Sequence, residues 1–310
     1  MHVHGASTSD RRLALAMGLT IGFVVIEAVA GSFAHSLALL SDAGHNLADA
    51  LALGLSWYAV RAARRPADSR RTFGHHRVGI LAALVNATTL VGMAVLIFWE
   101  ALRRLHSPEP VAGGLMIAVA AVAIVLNVVI SVWLHRDARH DLNIRSAYLH
   151  MLGDAISAAG VVVAGIVVAR TGAAVADPIV SLLIGTLILW SSWGILTESV
   201  DVLLENVPRG LDMAELEQSI KEVHGVLNVH DLHVWTVASG IIAGSCHVVV
   251  AEQSVRDGQQ VLRSVADSLR HRFGITHTTI QLEVEGCEPD ELYCTLRRND
   301  DPHVGHSHHH

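Results

Sequence analysis

Six stretches of this chain are apolar for long enough to be buried in lipid, at roughly 13–33, 36–60, 78–102, 112–134, 146–169 and 178–197. Each reaches the ~20 residues an α-helix needs to cross a hydrocarbon core about 30 Å thick. The first carries Glu27 in its middle and shows no small-residue cleavage site, which separates it from a removable leader. After Leu204 the periodicity changes. Asp212 is placed to cap a short helix running to about Val223, residues 226–237 and 240–251 alternate as strands do across a tight Ser239-Gly240 turn, a second helix fits 257–273, and a third strand fits 275–285. The pattern predicts an α-helical membrane protein: six transmembrane helices followed by a ferredoxin-like αββαβ cytoplasmic domain. Its predicted parts are an N-terminal tail with histidines (1–12), the six-helix region (13–205), the αββαβ domain (206–288) and a His-rich C-terminal tail (289–310).

Two of the apolar runs are interrupted by the same polar phrase, His45-Asn46-Leu47-Ala48-Asp49 and His150-Met151-Leu152-Gly153-Asp154. A His and an Asp four apart stack on one face of a helix, with Cβ atoms roughly 5–6 Å apart. An Asp at mid-membrane costs on the order of 3 kcal/mol and is expected to line a bundle interior or a pathway. Two such helices facing each other present two imidazoles and two carboxylates to one point, a tetrahedral N2O2 set suited to Zn²⁺ or a similar dication. Small residues on the same helices, Ala43, Gly44, Ala48 and Ala52 on one and Gly153, Ala155, Ala158 and Gly160 on the other, permit close backbone approach. Asp42 extends the first polar face by one turn, and Glu27 and Asn127 offer hydrogen bonds to the ligands from neighbouring spans.

Composition agrees with the membrane reading: 51% of residues are hydrophobic and 16% charged. Residues 1–205 balance 14 Arg against 14 acidic residues, while the remainder holds 15 acidic against 8 basic and so carries the entire net charge of −7. Nothing resembles the basic stripe of a nucleic-acid-binding protein. Arginines crowd the first end (Arg11, Arg12) and the connections after the second span (Arg61, Arg64, Arg65, Arg70, Arg71, Arg77) and the fourth (Arg136, Arg139, Arg145). By the positive-inside rule both termini are expected to be cytoplasmic. Three cysteines without a CxxC pair (Cys246, Cys287, Cys294) fit reduced thiols better than a disulfide framework. The 21 histidines include His2 and His4 at one end and His303, His306, His308, His309 and His310 at the other, tracts of a metal-collecting kind. Haem ligation needs no Asp one turn after each His, and no HExxH sequence supports a metalloprotease. In the predicted αββαβ domain His230, His247, His277 and Glu283 lie on or beside the strands, where the folded sheet can bring them together.

The stretches SLALLSDAGHNLAD (36–49), RPADSRRTFGHHR (65–77), AYLHMLGD (147–154), VHDLHVWT (229–236) and THTTIQLE (276–283) resemble the cation diffusion facilitator family, in its zinc-transporting branch. The resemblance runs from about Leu13 to Cys287 and implies a homodimeric antiporter that moves Zn²⁺ out of the cytoplasm against protons, with Cd²⁺ and Co²⁺ as related substrates. It implies that His45, Asp49, His150 and Asp154 are the transport site. His230, His247 and Glu283, with His277 next to them, match the positions of a regulatory zinc site in the cytoplasmic domain. Some bacterial relatives hold a further zinc in the loop after the second span; here Asp68 and His75 match, but Arg71 stands where a His is expected. The short connection after the fourth span lacks the His-rich insertion of animal vesicular members, which points to a bacterial inner-membrane exporter.

Overall fold

The structure, a computed structural model, describes residues 8–135, 142–284 and 292 of the 310-residue chain. The tails with their histidines, together with Cys287 and Cys294, lie outside the described residues. The chain divides into two compact units, residues 1–199 and 200–310.

The first unit is built from long helices: α1 (Thr8–Ala34), α2 (Leu37–Ala63), α3 (Val78–His106), α4 (Gly113–His135), α5 (Leu142–Thr171) and α6 (Ala176–Leu203). Among the described residues, α3, α4, α5 and α6 carry stretches long and apolar enough to cross a membrane. The described side chains of α1 begin late in the helix, and α2 is made less apolar by the polar residues that give it its interest. Large apolar side chains such as Phe33, Leu96, Trp99, Val132 and Trp190 point outward, the inverse of a water-soluble protein and the surface a bilayer covers. The interior is rich in small residues, with Ala34, Ala38, Ala48, Ala94, Ala120 and Ala164 packed among Leu39, Leu90, Ile97, Met116, Val161 and Ile188. Helices α4 and α5 approach most closely at glycines. A Cβ on Gly113 would stand 2.7 Å from the carbonyl oxygen of Gly165, and one on Gly165 would stand 2.8 Å from Cγ1 of Ile117.

Between α1 and α2 the chain turns on two residues. His35 takes a left-handed φ of 52° and Ser36 caps α2, its hydroxyl accepting from the Leu39 N–H at 3.2 Å. The orphan N–H groups at this helix end find a distant partner. Asp177, in the first turn of α6 and fully buried, accepts from the Ser36 hydroxyl at 2.6 Å, from the Leu37 N–H at 2.8 Å and from the Ala38 N–H at 3.2 Å. Arg104 of α3 donates to the His35 carbonyl and lies 3.8 Å from the Asp177 carboxylate. One buried carboxylate thus satisfies the positive end of α2, and a guanidinium balances its charge.

The second unit contains α7 (Met213–Lys221), β1 (Val226–Ala238), β2 (Ile241–Val250), α8 (Val255–Phe273) and β3 (Ile275–Glu283), the predicted αββαβ order. Asp212 caps α7 by accepting from the N–H groups of Ala214 and Glu215. The strands form one sheet in the order β1-β2-β3, β1 antiparallel to β2 across the Ser239-Gly240 turn and β2 parallel to β3. The parallel pairing requires a crossover, which α8 supplies. Leu216 and Ile220 of α7 and Val261, Val265 and Leu269 of α8 cover one sheet face, against Val229, Leu232, Val234, Cys246 and Val248. Burial pushes the Cys246 thiol up to about 12, so it serves this core as an apolar residue.

Candidate metal centres

In the first unit α2 sets His45 and Asp49 one turn apart, with Nε2 of the imidazole 3.5 Å from a carboxylate oxygen, both side chains about three-quarters buried. Asp154, on α5, is 5% exposed. His150 stands one turn earlier on α5, and its side chain lies outside the described residues. The relation between the two helices is fixed by a contact that the sequence does not announce: the Ser157 hydroxyl of α5 donates to Asp42 of α2 at 2.8 Å. Helices α2 and α5, separated by two spans, run in opposite directions. Aligned at Asp42 and Ser157, an antiparallel pair carries Asp154 to the level of His45 and position 150 to the level of Asp49. The two polar phrases therefore share one depth, and all four predicted ligand positions lie on these two helices.

Around this point the interior carries three further polar side chains. Asp42 is 2% exposed, Asn46 is buried on the same face of α2, and Asn127 is buried on α4. Asn46 and Asn127 line a small cavity of about 10 Å³, with Phe23, Val24 and Ile130 among its other walls. That is room for roughly one water molecule, with two amides to hold it.

In the second unit His230 and His247 are cross-strand partners in the β1-β2 register, with ring centroids 5.0 Å apart in an edge-to-face arrangement. Glu283, at the end of β3, reaches both: one oxygen lies 2.9 Å from Nε2 of His230 and the other 3.0 Å from Nδ1 of His247. One donor atom from each of the three falls within 4.8 Å of the others, a spacing that a single ion spans. His277 is not part of this group. It lies on β3 six residues before Glu283, roughly 20 Å along an extended strand, and is exposed.

Sequence reasoning passed over Asp231. A bulge between His230 and His233 gives it a left-handed φ of 51° and turns its carboxylate to 2.9 Å from His233 and 3.7 Å from His247. The signal was present in the VHDLHVWT stretch, where an Asp, a type that tolerates this conformation, sits between two strand histidines.

The loop between α2 and α3 behaves as the Arg71 substitution implies. Asp68 accepts from the N–H groups of Arg70 and Arg71 at 2.8 Å each, and these bonds hold its carboxyl below the usual carboxylate range. His75 lies 3.8 Å from Asp68, but the Arg71 guanidinium is hydrogen-bonded to the same imidazole at 3.0 Å. An exposed guanidinium holds the imidazole nitrogen that a metal would use.

Comparison with known proteins gives the same division of the chain. Residues 13–204 match the family described as "Cation efflux transmembrane domain", and residues 208–285 match "Cation efflux protein, cytoplasmic domain". The chain is 42% identical to a zinc transporter ZitB of Shigella flexneri over 318 aligned positions, covering 100% of this chain and 98% of the relative. It is 39% identical to the metal cation efflux system protein CzcD of Cupriavidus metallidurans, covering 90% of this chain and 88% of the relative. With a cadmium, cobalt and zinc/H⁺-K⁺ antiporter of Bacillus subtilis the identity is 35%, over 93% of this chain and 94% of the relative.

Proposed function

The chain belongs to the cation efflux family, and from that premise we propose that it exports Zn²⁺ from the cytoplasm in exchange for protons by alternating access, with a cytoplasmic domain that senses zinc and pairs two protomers. It is a multi-pass membrane protein and a metal transporter rather than an enzyme. His45, Asp49, His150 and Asp154 hold the transported ion. The observation that carries this assignment is the Ser157–Asp42 hydrogen bond, which aligns the two polar phrases on antiparallel helices. Secondary transport fits a set of ligands that bind metal only when deprotonated, because binding then releases protons and proton uptake expels the ion. Imidazole titrates near pH 6.5, close enough to neutrality for a modest gradient to change its occupancy. The arginine distribution supports an orientation with the N-terminal end of α2 toward the outside and both chain termini cytoplasmic, and the short connection after the fourth span supports a bacterial inner membrane.

Purified protein in proteoliposomes is expected to move Zn²⁺ when a pH gradient is imposed, with Cd²⁺ and Co²⁺ competing and Mn²⁺ excluded or weak. No flux above protein-free vesicles would overturn the reading.

His230, His247 and Glu283 form the cytoplasmic zinc site, supported by their convergence on one carboxylate. Two imidazoles and one carboxylate leave a fourth position of the tetrahedron for a water or a further donor such as Asp231. His247→Ala is expected to remove one bound zinc per protomer in equilibrium dialysis and to shift the zinc dependence of transport to higher concentration. An unchanged dependence with zinc lost would leave the site structural.

A further inference from the structure

Glu27 lies about three-quarters of the way along α1, is completely buried, and neither of its carboxylate oxygens accepts a well-formed hydrogen bond among the described residues. Its polar neighbours are on other helices. Asp42 of α2 stands within hydrogen-bonding reach, Asn46 of α2 lies beside it, and Asp154 of α5 is close enough to repel it. Asp42 takes the Ser157 hydroxyl on one oxygen, and His45 stands one turn along α2. Two buried carboxyl groups therefore face each other, with no lysine or arginine set between them among the described residues. In a low-dielectric interior such a pair does not carry two negative charges unless a cation bridges it; otherwise the two share a proton.

The donors around the gap are all oxygen: two carboxylates, the Asn46 amide and the Ser157 hydroxyl, and Asn46 also lines the one-water cavity. This set contains no imidazole, so it holds a borderline dication such as Zn²⁺ more weakly than a site with two histidines. It is also placed in line. Asp42, His45, Asn46 and Asp49 occupy one face of α2, and Asp42 lies about 4.5 Å nearer the N-terminal end of the helix than His45. In the proposed orientation that is the outward direction.

We propose that Glu27 and Asp42, completed by Asn46, form a second dication position one helical turn outward of the transport site, a weaker release station through which the exported metal leaves. The inference rests on the efflux reading for its direction, but the binding it describes can be measured without transport. A metal that steps from nitrogen-containing ligands to oxygens alone dissociates faster, so the station accelerates release without tightening uptake.

The test uses the full chain with Glu27→Gln, which keeps shape and removes the charge. In equilibrium dialysis at low Zn²⁺ the variant is expected to bind as many ions as the wild type, and at high Zn²⁺ one fewer per protomer. In proteoliposomes its maximum flux falls at least tenfold while half-saturation stays within twofold. Equal stoichiometry at high Zn²⁺ overturns the proposal, including the case in which the variant alters only the pH dependence of flux, because the pair then holds a shared proton and not a metal. If the Gln variant does not reconstitute, Glu27→Asp keeps the charge on a shorter arm and is expected to retain the additional ion at reduced affinity; unchanged affinity overturns the proposal. Should wild-type protein carry no flux, the efflux reading falls, while the difference in stoichiometry still reports on the station.

Discussion

Zinc uptake into everted vesicles carrying Asp49→Ala is expected to fall to the level of vesicles without the protein, and Asp154→Ala is expected to do the same. Removing a group that only orients a ligand already costs about 10–100-fold in affinity, so deleting a ligand costs at least the upper end of that range. The alanine also leaves His45 without the carboxylate that lies 3.5 Å from its Nε2. Both variants retain the small residues that pack α2 against its neighbours, so they are expected to reach the membrane in normal amount, which immunoblotting of the vesicles checks. More than a tenth of wild-type flux in either variant would remove these residues from the transport site. Asp49→Asn separates charge from shape: an amide oxygen fits the same space, and only loss of flux there ties transport to the negative charge.

The largest effect on stability is expected from Asp177→Ala. The wild-type carboxylate accepts three hydrogen bonds from Ser36, Leu37 and Ala38 and faces Arg104, which is 9% exposed. Loss of a helix cap costs about 1–2 kcal/mol, and stripping the partner from a buried charge costs about 3–5 kcal/mol. These terms overlap, because the same carboxylate serves both, so the lower half of their sum is the expected magnitude. Thermal aggregation of the detergent-solubilised protein measures the shift. Asp177→Asn, which keeps an acceptor oxygen but not the charge, is expected to fall between wild type and alanine. An alanine variant that melts with the wild type would mean that the α2 terminus is satisfied by other groups.

The sequence made the helices legible because lipid burial demands long uninterrupted apolar runs, and the polar interruptions at 45–49 and 150–154 stood out against them. It did not disclose what aligns the runs. Ser157 is one of many small residues on α5, and its bond to Asp42 pairs positions 115 residues apart. Asp177 precedes Pro178 in the first turn of α6, yet its carboxylate caps α2, 140 residues away.

In the second unit the hairpin was readable and its register was not. Counting outward from the Ser239-Gly240 turn without irregularity pairs His230 with Val249, whereas the bulges along β1 shift its partner to His247. Because that shift is two residues, His247 occupies the same sheet face as the expected partner and the two imidazoles meet. His277 shows the opposite limit. It shares the parity of Glu283 on β3, which spacing alone registers as the same side, but strand rise carries it far from the cluster.

Asp177 grips α2 at its first turn and Arg104 holds the His35 carbonyl just before it, so a swing of α2 that keeps these bonds and releases the Asp42–Ser157 bond pivots there. The arm from Ser36 to Asp49 is roughly 20 Å at 1.5 Å per residue, so a tilt of about 10° carries the carboxylate some ~3 Å. Metal coordination tolerates only about 0.2 Å. On the proposed reading, a small rotation about this fulcrum opens and closes the ion's grip, because displacement grows with distance along the arm.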